Sequence, residues 1–277
     1  PSNVPVTLTS LIGRDRETEA LLELLGRDDV RLVTVVGPGG VGKTRLAIRV
    51  AGELGGVAPG GVRFVSLAID RSADLVLPAI GRSLRVREAP GHSLIDGVTA
   101  VLHGRPTLLV LDNFEHVLEA APVVTTLLEV CPELTVLVTS RAVLRVSGEH
   151  VYALPPLSLP HFDQSPIPER LLEAEAVRLF IERATAATTD FVMTPETTRA
   201  VAEICQRLDG LPLAIELAAA RLTVLSPGGL MERLEQRLPL LVGGYHDMPE
   251  RHRTLRNAIA WSYEQLPPIE QQIFRFY

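Results

Sequence analysis

Arg31-Leu-Val-Thr-Val-Val-Gly-Pro-Gly-Gly-Val-Gly-Lys-Thr44 changes character twice in a short space. Arg31 to Val36 is an apolar, β-branched run with charge before it and glycine after it, the pattern of a buried strand. Gly37 to Thr44 fits G-x-x-x-x-G-K-[ST], and from Lys43 a helix-period segment continues to about Leu54. Glycines let such a loop curl until successive N–H groups point at one anion, and the dipole of the following helix acts on the same place. The string therefore nominates Gly37, Gly39, Gly40, Val41, Gly42, Lys43, Thr44 and Arg45 as a phosphate cradle. Lys43 would reach the β- and γ-phosphates of a nucleotide and Thr44 would ligate Mg²⁺. Among 27 basic side chains Lys43 is the only lysine. It stands where a compact ammonium is needed and a planar guanidinium would not fit.

Similar apolar runs recur at Val62 to Leu67, Pro106 to Leu111 and Leu134 to Thr139, with helix-period segments between them. Strand and helix alternating in this way predict an α/β fold, a P-loop NTPase parallel sheet with helices on both faces, over residues 1–158. The Pro-rich stretch Leu154 to Pro168 cannot continue a helix or a central strand and reads as a linker. Beyond it, Leu171 to Ala187, Pro195 to Leu208, Leu213 to Val224 and Pro227 to Leu238 have apolar residues at helical spacing. Thr194 before Pro195 and Ser226 before Pro227 are helix starts. Residues 159–249 are thus expected to form an all-α helical domain, and 250–277 the truncated start of a third unit in a fragment of a longer protein.

Composition sets limits on the partners. With 46% hydrophobic and 22% charged residues and apolar runs too short to span a bilayer, the chain reads as soluble and globular, with no membrane association. A net charge of -6 and a pI near 5.7 lack the basic excess of a surface that grips a polyanion, so no direct nucleic acid binding is expected. Arg251, Arg253 and Arg256 form the densest basic cluster, which reads as a solvated helix start. Cys131 and Cys205 show no metal-type spacing and suit a reducing cytosol as buried thiols. The seven histidines show no paired spacing for zinc, which leaves Mg²⁺ as the expected metal.

Two further constellations accompany the loop. Leu108-Leu-Val-Leu-Asp112 is an apolar strand ending in a carboxylate, which at the C-terminal end of a parallel strand would sit beside the crevice and hold Mg²⁺ through water. The alternative is an Asp that caps the next helix. Asn113 follows, where a base that polarises water would be expected, and an amide cannot accept that proton. Hydrolysis should be slow. Glu115 is a substitute base if the turn brings it round, or a first-turn helix acid. Leu134-Thr-Val-Leu-Val-Thr-Ser-Arg141 is again a strand with polar residues at its end, and Arg141 would report the γ-phosphate or else begin a surface loop. The candidate catalytic set is Lys43, Asp112, Arg141 and Glu115, and the candidate metal ligands are Thr44 and Asp112.

Taken with Leu11-Ile-Gly-Arg-Asp-Arg-Glu17 and Gly210-Leu-Pro-Leu-Ala214, these motifs resemble the NB-ARC branch of the STAND signalling ATPases, above all the bacterial AfsR-like and large LuxR-type transcriptional regulators. Glu175-Ala-Val-Arg-Leu-Phe-Ile-Glu-Arg-Ala184, and Arg251 to Arg256 with Trp261-Ser-Tyr263, carry the resemblance onward. It implies that Ile12, Gly13, Arg14 and Pro212 enclose an adenine. It also implies that 250–277 begins a winged-helix domain, with the family's Met-His-Asp motif beyond Tyr277. Effector and sensor domains outside the fragment, self-association on activation and a cytoplasmic location follow from the family.

The expected function is an ATP- or ADP-binding switch, a slow Mg²⁺-dependent ATPase closed with ADP and open with ATP. No guanine-type N-K-x-D signature is visible, which favours adenine. The rivals are a motor-type turnover ATPase and a nucleotide-independent interaction module.

Overall fold

Short strands buried along nearly their whole length, and the i, i+3, i+4 spacing of apolar residues on the helices, build most of the chain. The computed structural model describes residues 2–56, 58–69, 72–86, 93–160 and 168–234, with side chains of the last stretch from 171 onward. By its internal contacts the chain divides into one unit of Pro1–Pro38 with Lys43–Leu154 and another of Gly39–Gly42 with Pro155–Tyr277.

In the first unit α1 (Asp15–Leu25) precedes β1 (Leu32–Val36), α2 (Lys43–Leu54), β2 (Gly61–Ser66), α3 (Val76–Ser83), α4 (Leu94–Leu102), β3 (Thr107–Asp112), α5 (Ala121–Val130), β4 (Leu134–Ser140) and β5 (Glu149–Ala153). The five described strands form one sheet in the order β2-β3-β4-β1-β5, every pairing parallel. Alternation divides the core. Leu109 and Leu111 of β3 join Val136 and Val138 of β4 and the apolar sides of α3, α4 and α5. The intervening Leu108 and Val110 are buried on the opposite face, where α2 packs against β2, β3 and β4. Helix α2 presents Lys43, Leu46, Ala47, Val50 and Ala51 as its buried stripe. The parallel sheet with helices on both faces is as the sequence predicts.

Strand β5 was not among the expected strands, and its residues are half-buried or exposed because it lies at the sheet edge. On α4, Ser93 and Asp96 form a reciprocal capping box.

In the second unit the described helices are α6 (Pro168–Glu173), α7 (Glu175–Ala187), α8 (Pro195–Arg207), α9 (Pro212–Ala220) and α10 (Pro227–Arg233). The two expected start signals act as such. Thr194 Oγ1 accepts from Thr197 N at 3.2 Å and Ser226 Oγ accepts from Gly229 N at 3.2 Å, each just before a proline at the first helical position. The segment expected as one helix from Leu171 to Ala187 is two, because Ala174 is extended (φ -67°, ψ 129°). Ser158 and Glu175 restart the helix between them: Glu175 N donates to Ser158 Oγ and Ser158 N to Glu175 Oε2, both at 3.1 Å. Helix α9 ends at Ala220, and Arg221–Thr223 continues as a 3₁₀ turn. The last part of the helix expected to reach Leu238, and the whole of 250–277 with its winged-helix reading and its arginine cluster, lie outside the described residues. No helix among the described residues is long and apolar enough to cross a membrane.

Candidate nucleotide-binding site

Parallel strands in register end together, so residues far apart in sequence meet at one edge of the sheet. Val36 pairs with Ser140, Ser66 with Asp112 and Leu111 with Val138, which places Asp112 and Thr139 side by side just beyond the last β3–β4 pair. The glycine loop leaves from the end of β1 at the same edge, the usual position for ligands in such sheets. Within it Gly40 and Gly42 have φ of 80° and 101°, backbone that side-chain-bearing residues rarely adopt.

Asp112 is buried and organises its neighbours. Its Oδ1 accepts from Thr44 Oγ1 at 2.7 Å and from Thr139 Oγ1 at 2.6 Å, and Asn113 N in turn donates to Thr139 Oγ1 at 3.0 Å. Asp112 is therefore a strand residue whose Oδ1 is bonded to hydroxyls of both α2 and β4. Thr139 is a member of this group that sequence reading did not single out. Its only sequence signal is a hydroxyl ending an otherwise apolar strand.

Thr44 and Asp112 together offer two hard oxygen donors, a set that fits Mg²⁺, which takes one or two protein oxygens and completes its shell with water and phosphate.

Lys43 is buried at the start of α2, and its Nζ donates to Gly37 O at 2.7 Å and Pro38 O at 3.1 Å. Burial pushes its pKa down to about 8; nearby Arg141 adds to that, while Glu115 and Asp112 oppose it. The other three expected catalytic side chains are thus within electrostatic reach of Lys43.

Glu115 arrives there through a backbone turn. Asn113 is left-handed, with φ 65° and ψ 45°, and opens a 3₁₀ turn over Phe114–His116. Phe114 is fully buried in the core, and Glu115 follows with its side chain 5% exposed and Oε1 3.3 Å from Arg141 Nε. Arg141 itself is 17% exposed, with most of its side chain withdrawn from water.

Gly13 and Arg14 have consecutive positive φ values of 66° and 74°, and Arg14, buried at the start of α1, donates to Glu17 at 2.7 Å. Ile12 just before them is half-buried. Arg45 Nη2 donates to Thr9 O at 2.9 Å, Thr9 Oγ1 at 3.0 Å and Ser10 O at 2.7 Å, tying the segment that leads into Ile12 to α2. Val41 is buried, and Gly37 and Gly39 are half-buried. Pro212 is in the helical unit as the first residue of α9.

Residues 27–146 match the family model of the AAA domain. A protein named as an HTH-type transcriptional regulator in Mycobacterium tuberculosis is 40% identical over 246 residues, which cover 88% of this chain and 26% of that protein. The regulatory protein AfsR of Streptomyces griseus is 28% identical over 293 residues, covering 99% of this chain and 27% of its own length. The chain thus spans about a quarter of these relatives. Among solved structures the ORC2 protein of Aeropyrum pernix, in ADPNP-ADP complexes, superimposes with a TM-score of 0.55 at 18% identity, over 82% of this chain and 68% of that one. The fold is P-loop ATPase-like, with residues 27–146 similar to the AAA domain and the chain similar in sequence to part of proteins named as transcriptional regulators.

Proposed function

We propose that this chain is the nucleotide-operated switch of a larger regulatory protein, of the NB-ARC kind its motifs resemble, closed with ADP and open with ATP. The observation that supports it best is the hydrogen bond from Thr44 to Asp112, which joins the loop to the end of β3 with Lys43 in the same crevice. In this reading the loop N–H groups and Lys43 hold the β- and γ-phosphates, and Ile12, Gly13, Arg14 and Pro212 take the adenine. Mg²⁺, when bound at Thr44 and Asp112, neutralises charge developing on the phosphate oxygens. Arg45 supports the adenine segment through the Thr9–Ser10 backbone.

Hydrolysis in this reading is slow. Asn113 cannot take a proton from water, and Glu115 is engaged with Arg141. The protein is regulatory and cytoplasmic, coupled to effector and sensor domains elsewhere in its chain, and self-associates on activation. These residues make no direct contact with nucleic acid.

Denaturing the purified protein and separating what it releases tests the reading. Near-stoichiometric ADP that is absent from Lys43→Ala is the expected result. A protein that releases no nucleotide, and binds neither ATP nor ADP on titration, would be an interaction module instead. Steady-state turnover well above about 1 per second would mark a motor-type enzyme.

A further inference from the structure

Lys43, Asp112, Glu115 and Arg141 bring two positive and two negative charges to one edge of the sheet. Each has a different engagement. Lys43 donates to two loop carbonyls, Asp112 accepts from two hydroxyls, and Glu115 lies against Arg141. Glu115 is nearly sealed from water, and its Oε2 is buried with no hydrogen-bond donor among the described residues. A carboxylate so placed is costly unless a cation compensates it, and Arg141 is the cation in contact with it.

The backbone commits Glu115 to this position. Phe114 is anchored in the core, and the left-handed turn at Asn113 directs the next residue toward the end of β4.

We propose that Glu115 occupies Arg141 in the place of the terminal phosphate of a nucleoside triphosphate, and so sets the preference between diphosphate and triphosphate. The inference rests on the nucleotide-site reading above. A guanidinium fork binds carboxylate and phosphate in the same geometry, so the two anions compete for it. A diphosphate leaves the Glu115–Arg141 pair intact. A triphosphate brings a third anionic group to Arg141, displaces Glu115 and costs its carboxylate the guanidinium contact. The displacement lowers triphosphate affinity alone, which is the differential binding a switch requires. Glu115 is then a specificity-determining residue acting through Arg141, and its first role is not that of a base.

The test is calorimetric titration of the whole chain, wild type and Glu115→Gln, with Mg-ADP and with a non-hydrolysable Mg-ATP analogue. Removing the competing charge should tighten the triphosphate analogue about tenfold or more while ADP stays within about twofold. In an Arg141→Gln background the same substitution should no longer change the ratio of the two affinities. Glu115→Asp, which keeps the charge but withdraws it, should shift the ratio in the same direction by less, and it serves if the Gln variant unfolds. Equal shifts for both nucleotides, weaker triphosphate binding, or a slower hydrolysis rate with both affinities unaltered would each overturn the proposal. If the wild type binds neither nucleotide, the site reading itself fails, a pattern distinct from all of these.

Discussion

Arg141 and Arg183 are both largely withdrawn from water against carboxylates, the first 3.3 Å from Glu115 and the second 3.0 Å from both Glu216 and Glu182. Their surroundings differ. Arg183 sits on α7 among Leu179, Phe180 and Ala184, and its bond to Glu216 crosses to α9, the helix against which α7 packs. Arg141 follows the end of a parallel strand, within reach of Lys43, and its partner is delivered by a left-handed residue. An ion pair alone therefore does not mark a site. Strand-end position, other charges close by and backbone held in an uncommon conformation separate the pair proposed to act at a nucleotide site from one that joins helices.

Substitutions can break the contrast, and the largest expected effect is structural. Arg183→Ala removes the guanidinium that joins α7 to Glu216 on α9, and should lower the unfolding free energy by about 2–3 kcal/mol in a denaturant titration. Little loss would mean that the α7–α9 clamp is no more than a surface pair. Next comes Lys43→Ala, which removes the ammonium at the crevice and should weaken nucleotide binding about 30-fold or more with little change in stability, since it also removes an unfavourably buried charge.

The pH dependence of binding at the same residue is smaller. In the free protein Lys43 titrates near 8 because of burial, and bound phosphates would raise that value again. Binding should then take up a proton above about pH 8, with affinity falling by up to about tenfold per pH unit as pH rises further. Calorimetry in buffers of different ionisation enthalpy reads that proton directly. For folding the sign is the reverse: a depressed lysine opposes the fold below about pH 8, and this opposition lifts as pH rises toward the ordinary lysine value of 10.5. The smallest effect is at Asn113, where Ala, less tolerant of positive φ, should cost about 1 kcal/mol on thermal unfolding. An unchanged Tm would remove backbone conformation from the list of features that set Arg141 apart.

Sequence reading reached some of these features and not others, for physical reasons. Strands β1, β3 and β4 are mostly apolar because both faces of the sheet are covered, so their signal is strong. Edge strand β5, Glu-His-Val-Tyr-Ala, is half-exposed and has almost none. Lys43, Thr44 and Asp112 were legible because a spacing and a strand-end carboxylate are local patterns. The bond of Thr139 to Asp112 depends on register between β3 and β4, and register is not written within either strand. The break at Ala174 escaped for a similar reason: Ser158, which completes the new helix start, is too distant to be read as its cap.

The strand order also bears on how this protein is made. β1 lies between β4 and β5, so neither of its neighbours exists until the ribosome has almost finished the α/β unit. The glycine loop is synthesised early, yet the residues that give it a crevice, at the ends of β3 and β4, come much later. Such long-range parallel pairing is slow to form, because loops must close before contacts reward the closure. A nascent chain that stops short of Asp112 holds the complete phosphate motif and none of the strand ends beside it. Dissecting the unit by truncation would therefore report on assembly, whatever the motif can bind.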